Sequence, residues 1–284
     1  MKRTPCKGFK FHQNNDVIKT MDRGGKVVSI LALAFIAGCA SVPVPVEQPV
    51  PETIVLPYVR NFSDNPAGDA LPSGWRLWTL SRFKKATQYR LEDDAGRIVV
   101  KASAQASASG LVHPLKLDPR VYPLLQWQWK TTALIATADN TKQNTEDSPV
   151  RVVVSFDGDI DRLPLDDRMF FDNIRLLTGQ ELPYATLMYI WENRAPKGSM
   201  IPNRHTSRIR MIVAESGRDK VGRWQEVTRN VYEDYRRVFG EAPGQITAIA
   251  IMTDTDNTGE NVHAYYGDIL FRRIPPPRLT FATD

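Results

Sequence analysis

The 284-residue sequence is short of cysteine, with only Cys6 and Cys39. No cysteine follows Cys39, so no disulfide can brace residues 40–284. A stretch that long can hold a fold by burial alone. A basic stripe is missing too. Residues 1–38 hold seven basic and two acidic side chains, which leaves 30 of each from totals of 37 and 32. Nucleic-acid binding needs concentrated positive charge to displace counterions, and a balanced remainder excludes it. No apolar run reaches the ~20 residues that span a bilayer. His113, His205 and His263 follow no metal-ligand spacing, and no serine-nucleophile motif is present.

What is present begins with an export signal. In residues 21–38, Arg23 and Lys26 precede an apolar stretch, Val27 to Ala37, that ends in small residues. Ile36-Ala37-Gly38-Cys39 resembles the lipobox of bacterial lipoproteins. That resemblance implies cleavage before Cys39, diacylation of its thiol and acylation of the new amino terminus. Two or three acyl chains anchor a protein stably. Ala40 stands where inner-membrane retention shows Asp, so the expected location is the outer membrane, facing the periplasm. Residues 1–20 are polar and unlike a signal, which leaves Met21 as a candidate start. Prolines at 43, 45, 49, 51 and 57 make residues 40–57 a stiff spacer, reaching roughly 50 Å as polyproline II.

Beyond the spacer the pattern is one of strands. Ile98, Val100, Ala102 and Ala104 share a face, as do Val150, Val152, Val154 and Phe156, and Ile209, Met211 and Val213. Period-two alternation puts one face on a core and the other in water. Further strands are expected at 87–92, 109–117, 123–132, 184–192, 222–229, 245–254 and 262–273. Two helices interrupt them. Asn230 and Glu233 form a capping box with Gly240 as the stop. A second helix, about 166–178, is expected to turn Phe170, Ile174 and Leu177 to the core. Many short strands with few helices predict an all-β fold, a jelly-roll-like β-sandwich with two short helices in insertions. The expected organisation is a signal region, 1–38, the lipidated cysteine and linker, 39–57, a sandwich, 58–273, and a flexible tail, 274–284.

The segments SGL (109–111), LLQWQWK (124–130), EDSPVRVVVSF (146–156), YIWEN (189–193), DYRRVFG (234–240), MTDTDNTG (252–259) and YYGDILF (265–271) resemble the bacterial family "domain of unknown function 3047". More remotely, Phe62, Gly74-Trp75 and Asp268-Ile269 are similar to the ends of jelly-roll carbohydrate-binding modules. That resemblance implies a structural calcium, with Asp268 as one ligand, although Ser63 occupies the usual position of the second acid. It also implies a glycan ligand.

Candidate chemistry gathers at a few positions. Trp127 and Trp129 project from one strand face and are expected in the core, because Gln126, Gln128 and Lys130 fill the other. Trp191 and Glu192 end a strand as an aromatic beside an acid, a pair suited to stacking on a sugar and accepting its hydroxyl hydrogens. Asp254, Asp256 and Asn257 form the densest polar cluster, and Asp147 begins a strand expected at the same end of the sandwich. Asp254 and Asp256 open like a calcium loop, with Gly259 at its sixth position. Thr258 at the fifth and Tyr265 at the twelfth exclude a complete EF-hand. The candidate ligand-binding residues are therefore Trp191, Glu192, Asp254, Asp256, Asn257 and Asp147. The candidate metal ligands are Asp254, Asp256 and Asp268, with calcium as the ion. Three functions fit this pattern: a glycan- or envelope-binding lipoprotein, an enzyme on envelope polysaccharide using Glu192 with Asp254 or Asp256, and an assembly lipoprotein that binds protein. No catalytic constellation is evident, which favours the first.

Overall fold

The chain divides into two units, residues 1–50 and 51–284. The computed structural model describes residues 58–79, 81 and 83–275, all in the second unit. The export signal, Cys39 and the linker lie outside the described residues, as does most of the expected tail.

Twelve strands form two sheets. In chain order they are β1 (Arg76–Thr79), β2 (Gln88–Asp93), β3 (Ile98–Gln105), β4 (Ala108–Leu117), β5 (Leu124–Thr131), β6 (Ser148–Phe156), β7 (Ala185–Glu192), β8 (Met200–Pro202), β9 (Ile209–Ser216), β10 (Gln225–Asn230), β11 (Ile246–Asp254) and β12 (Asn261–Arg272). The larger sheet runs β1-β4-β11-β6-β7-β9-β8 and the smaller β10-β5-β12-β3-β2. The chain passes repeatedly between them, which makes a jelly-roll-like sandwich. Neighbours are antiparallel except β7 and β9, which run parallel. The expected strands match ten of these, while β1 and β8, four and three residues long, carry too few residues to show a period.

The alternating apolar faces meet between the sheets. Trp127 and Trp129 are both fully buried there, as expected, with rings 5.3 Å apart. Trp127 packs on Tyr189 at 5.0 Å and Trp129 on Trp191 at 6.4 Å, so aromatic contacts join the two sheets.

Two helices lie outside the sheets. Helix α2 (Val231–Phe239) is capped as its sequence implies: the Asn230 side chain accepts from the Glu233 amide at 3.1 Å. Gly240 ends it in the left-handed region, at φ 73°. Helix α1 (Leu165–Thr178) differs from expectation. It buries Asp167 and Phe171, while Leu177 is 84% exposed. Its anchor is polar, because the Asp167 carboxylate accepts from the Thr206 hydroxyl at 2.6 Å and the Ser207 amide at 2.7 Å. Apolar residues lie on nearly every side of α1, so its pattern does not single out a buried face.

The segment 58–75 closes one end of the core. Phe62 is fully buried and packs on Trp75 at 4.7 Å. His113 also holds this segment, accepting from the Arg60 amide at 3.3 Å. Burial, together with the charge of Arg60, pushes the His113 imidazole below its ordinary range.

Candidate functional site

The expected acidic site forms, but its charges are already answered. Asp147, Asp254 and Asp256 bring carboxylate oxygens within 4.8 Å of one another. Asp254 receives the Arg151 guanidinium on both oxygens, at 2.9 and 3.1 Å, and the Ser148 amide at 3.1 Å. Asp256 pairs with Lys84 at 2.5 Å. Asp147 receives the Thr258 amide and hydroxyl, each at 2.7 Å, and the Asn257 side chain at 3.2 Å. A calcium ion needs these oxygens free, whereas here donors and two cations occupy them. The residues do not fit a resident metal.

Burial dominates the titration of this network. It pushes the Asp254 carboxyl up to about 6, even against the lowering charge of Arg151. Burial also works to lower Arg151, but the carboxylates of Asp254, Glu146 and Asp147 outweigh it and the guanidinium ends above its ordinary value. Within the pair, the aspartate is therefore the group that yields its charge.

Trp191 and Glu192 end β7 at the same end of the sheet, where Ser148 donates its amide to Asp254 and its hydroxyl to the Trp191 carbonyl at 2.9 Å, but neither side chain opens to a ligand. Trp191 is fully buried and its indole donates to the Gly217 carbonyl at 2.9 Å, so it is a core residue. Glu192 is 2% exposed and accepts from the amides of Arg194 and Ala195 within its own turn. It is not presented to a ligand beside Asp254 or Asp256, as an enzyme using that pair requires. Asp268 does not join the acidic cluster. Its carboxylate accepts from the Phe62 amide at 2.8 Å, the Ser63 amide at 3.1 Å and the Ser63 hydroxyl at 2.6 Å. Ser63 thus replaces the missing acid with a hydrogen-bond donor, and the tie that calcium was expected to make is made directly. A single carboxylate engaged by three donors does not fit a cation.

Among the described residues, two surface grooves are larger than one of about 300 Å³ along β8. One, of about 350 Å³, is polar, lined by groups such as Lys85, Gln88, Ser103, Asn261 and His263, and has no aromatic wall. The other, of about 470 Å³, lies on the outer face of the seven-stranded sheet. Its floor follows from strand register: Val112, Ala250, Val153 and Met188 stand side by side on β4, β11, β6 and β7. Trp78 of β1 forms a wall. It sits opposite Gly110, where an added Cβ would lie 3.1 Å from the indole and 2.5 Å from the Ile251 carbonyl. The missing side chain in the SGL segment is what lets the ring settle against the sheet. The segment after α1 adds Glu181, Leu182 and Pro183 to the lining, and Gln180 ties it to β1 by donating to the Thr79 carbonyl at 3.1 Å.

Sequence reasoning missed this groove because Trp78 lies in a four-residue strand and the floor is assembled from four others. Its one legible signal was Trp78 itself, close after Gly74-Trp75.

No curated protein matches the chain. Among solved structures it is similar to the Spr0440 glycoside hydrolase domain, Endo-D, from Streptococcus pneumoniae R6, with 10% identity and a TM-score of 0.31 over 70% of this chain. It spans only 21% of that chain's length. Similarity to the family 30 carbohydrate-binding module of the cellulosomal cellulase Cel9D-Cel44B of Clostridium thermocellum covers 73% of this chain and 90% of that one, at 10% identity and TM-score 0.30. For the cellulose induced protein Cip1 the values are 72%, 95%, 10% and 0.30. TM-scores of this size decide nothing about a ligand. In sequence, the family described as "Protein of unknown function (DUF3047)" matches residues 73–270, and the chain belongs to that family.

Proposed function

We propose that this is a lipoprotein anchored through Cys39 in the outer membrane, facing the periplasm, whose sandwich binds a glycan along the groove beside Trp78. The groove's composition carries the reading. Trp78 is half-buried, which leaves part of a flat ring for the C–H face of a sugar. At the mouth stand Arg76 and Glu181, both exposed, and neither has a hydrogen bond or ion pair among the described residues. One donor-only and one acceptor-only group beside an aromatic wall suit a ring bearing hydroxyls.

The test is a glycan array with the full chain in detergent, comparing wild type with Trp78→Ala. The variant should lose at least ten-fold in affinity while keeping its strand content and a cooperative melt, at a somewhat lower temperature because the ring's packing on the sheet is lost. Array ligands held equally by both proteins would remove Trp78 and its groove from the function. For the anchor, intact mass should show an acylated N-terminal cysteine at position 39. An unmodified terminus elsewhere refutes it.

A further inference from the structure

The floor of the same groove discriminates among sugars. Val112, Ala250, Val153 and Met188 are aliphatic, and a hydroxyl pressed against them loses water without gaining a partner. Polar atoms recur only one step along the strands, where Ser155 of β6 stands opposite Thr186 of β7. Neither side-chain hydroxyl has a hydrogen-bond partner among the described residues, although Thr186 is 5% exposed. Directly opposed residues on a sheet face lie ~5 Å apart, and Val153 and Met188 are the next residues on that face. A hydroxyl pair thus adjoins an aliphatic pair.

An acetamido group has that chemistry. Its amide needs one donor and one acceptor, which two hydroxyls supply, and its methyl needs apolar contact. The rim is matched as well, since Arg76 and Glu181 together carry no net charge and suit a neutral ligand. We propose, resting on the glycan reading above, that the groove selects N-acetylated hexosamine saccharides. The amide meets Ser155 and Thr186, and the methyl lies on Val153 and Met188.

Calorimetric titration of the full chain should use the tetramer of N-acetylglucosamine, its fully de-N-acetylated counterpart, and cellotetraose. The acetylated tetramer should bind at least ten-fold tighter than either. Burying one methyl supplies about four-fold. The rest comes from the amide's two-point contact, since the acetamido N–H and C=O engage both Ser155 and Thr186, whereas an ammonium brings no acceptor and a hydroxyl at that carbon places donor and acceptor on a single atom. Thr186→Val keeps shape and strand preference while removing one hydroxyl. It should weaken the acetylated tetramer about five- to ten-fold and leave any cellotetraose binding unchanged, with melting checked in parallel. Equal binding of the acetylated tetramer and cellotetraose would overturn the N-acetyl selection and leave the glycan reading standing. Binding of none of the three, with no array ligand sensitive to Trp78→Ala, would overturn both. Tight binding of the acetylated tetramer that ignores Thr186→Val would overturn the placement of the amide.

Discussion

Replacing Arg151 with Met tests whether the buried acidic network is held by the protein's own cation. The guanidinium is 2% exposed and bonds Asp254 twice, the Glu146 carbonyl at 2.9 Å and Asn140 at 3.3 Å. Arg151→Met leaves Asp254 and Asp147 buried without it, and breaking such a pair costs about 3–5 kcal/mol. The loss depends on pH with a definite sign. The Asp254 carboxyl titrates near 6 when folded, against 3.8 ordinarily, so the folded state holds the extra proton between these values. In the wild type, this group's contribution is complete below pH ~4 and falls by about 3 kcal/mol as pH rises through 6. Without the lowering charge of Arg151, the carboxyl stays protonated to higher pH still. Urea unfolding of both proteins, followed by tryptophan fluorescence, should show a deficit of 3–5 kcal/mol at pH 8 that shrinks to about 1 kcal/mol at pH 5. Comparing variant with wild type cancels other titrations, including that of His113. A deficit of equal size at both pH values, or one below 1 kcal/mol at pH 8, would refute the reasoning.

Millimolar calcium should leave the melting curve of chelator-treated protein unchanged, because Arg151 and Lys84 hold the positions a cation would take. A rise of several degrees would show that a metal displaces them. Asp268→Ala should cost about 2–3 kcal/mol by unmaking three hydrogen bonds to one carboxylate, and limited proteolysis should then cut ahead of Trp75. An unchanged digestion pattern would mean that Phe62 alone secures the segment. Gly110→Ala should cost about 1–3 kcal/mol, since the new Cβ meets the Ile251 carbonyl at 2.5 Å and backbone cannot step aside cheaply. A variant as stable as wild type would contradict the close approach.

Most of the fold was legible because half-buried strands write their environment with a period of two. That rule placed Trp127 and Trp129 inward from the amides and lysine between them. It fails for Trp191 and Glu192, since β7 lies inside the larger sheet and is buried on both faces, leaving no polar side to read. The acidic cluster was legible as a cluster, but not its cations: Arg151 precedes Asp254 by 103 positions and reaches it only across the β6–β11 pairing. Asp268 was read with the right partners in space, Phe62 and Ser63, and the wrong bond. Serine in place of an acid was the signal that hydrogen bonds replace the ion. The groove was illegible for a related reason, because it exists only once the register of five strands is fixed.

The larger sheet is bounded by its two shortest strands, and Pro202 in β8 offers no amide hydrogen. The edges of the smaller sheet carry Arg90, Glu92 and Asp93 on β2 and Glu226 and Arg229 on β10. Long, open, uncharged edges invite a neighbouring chain to add a strand, the first step of ordered aggregation. Under the proposed anchoring through Cys39, copies would meet at high density and in similar orientation, the condition that favours such templating. Blunt margins on one sheet and charged margins on the other let these sandwiches crowd together with no strand to exchange.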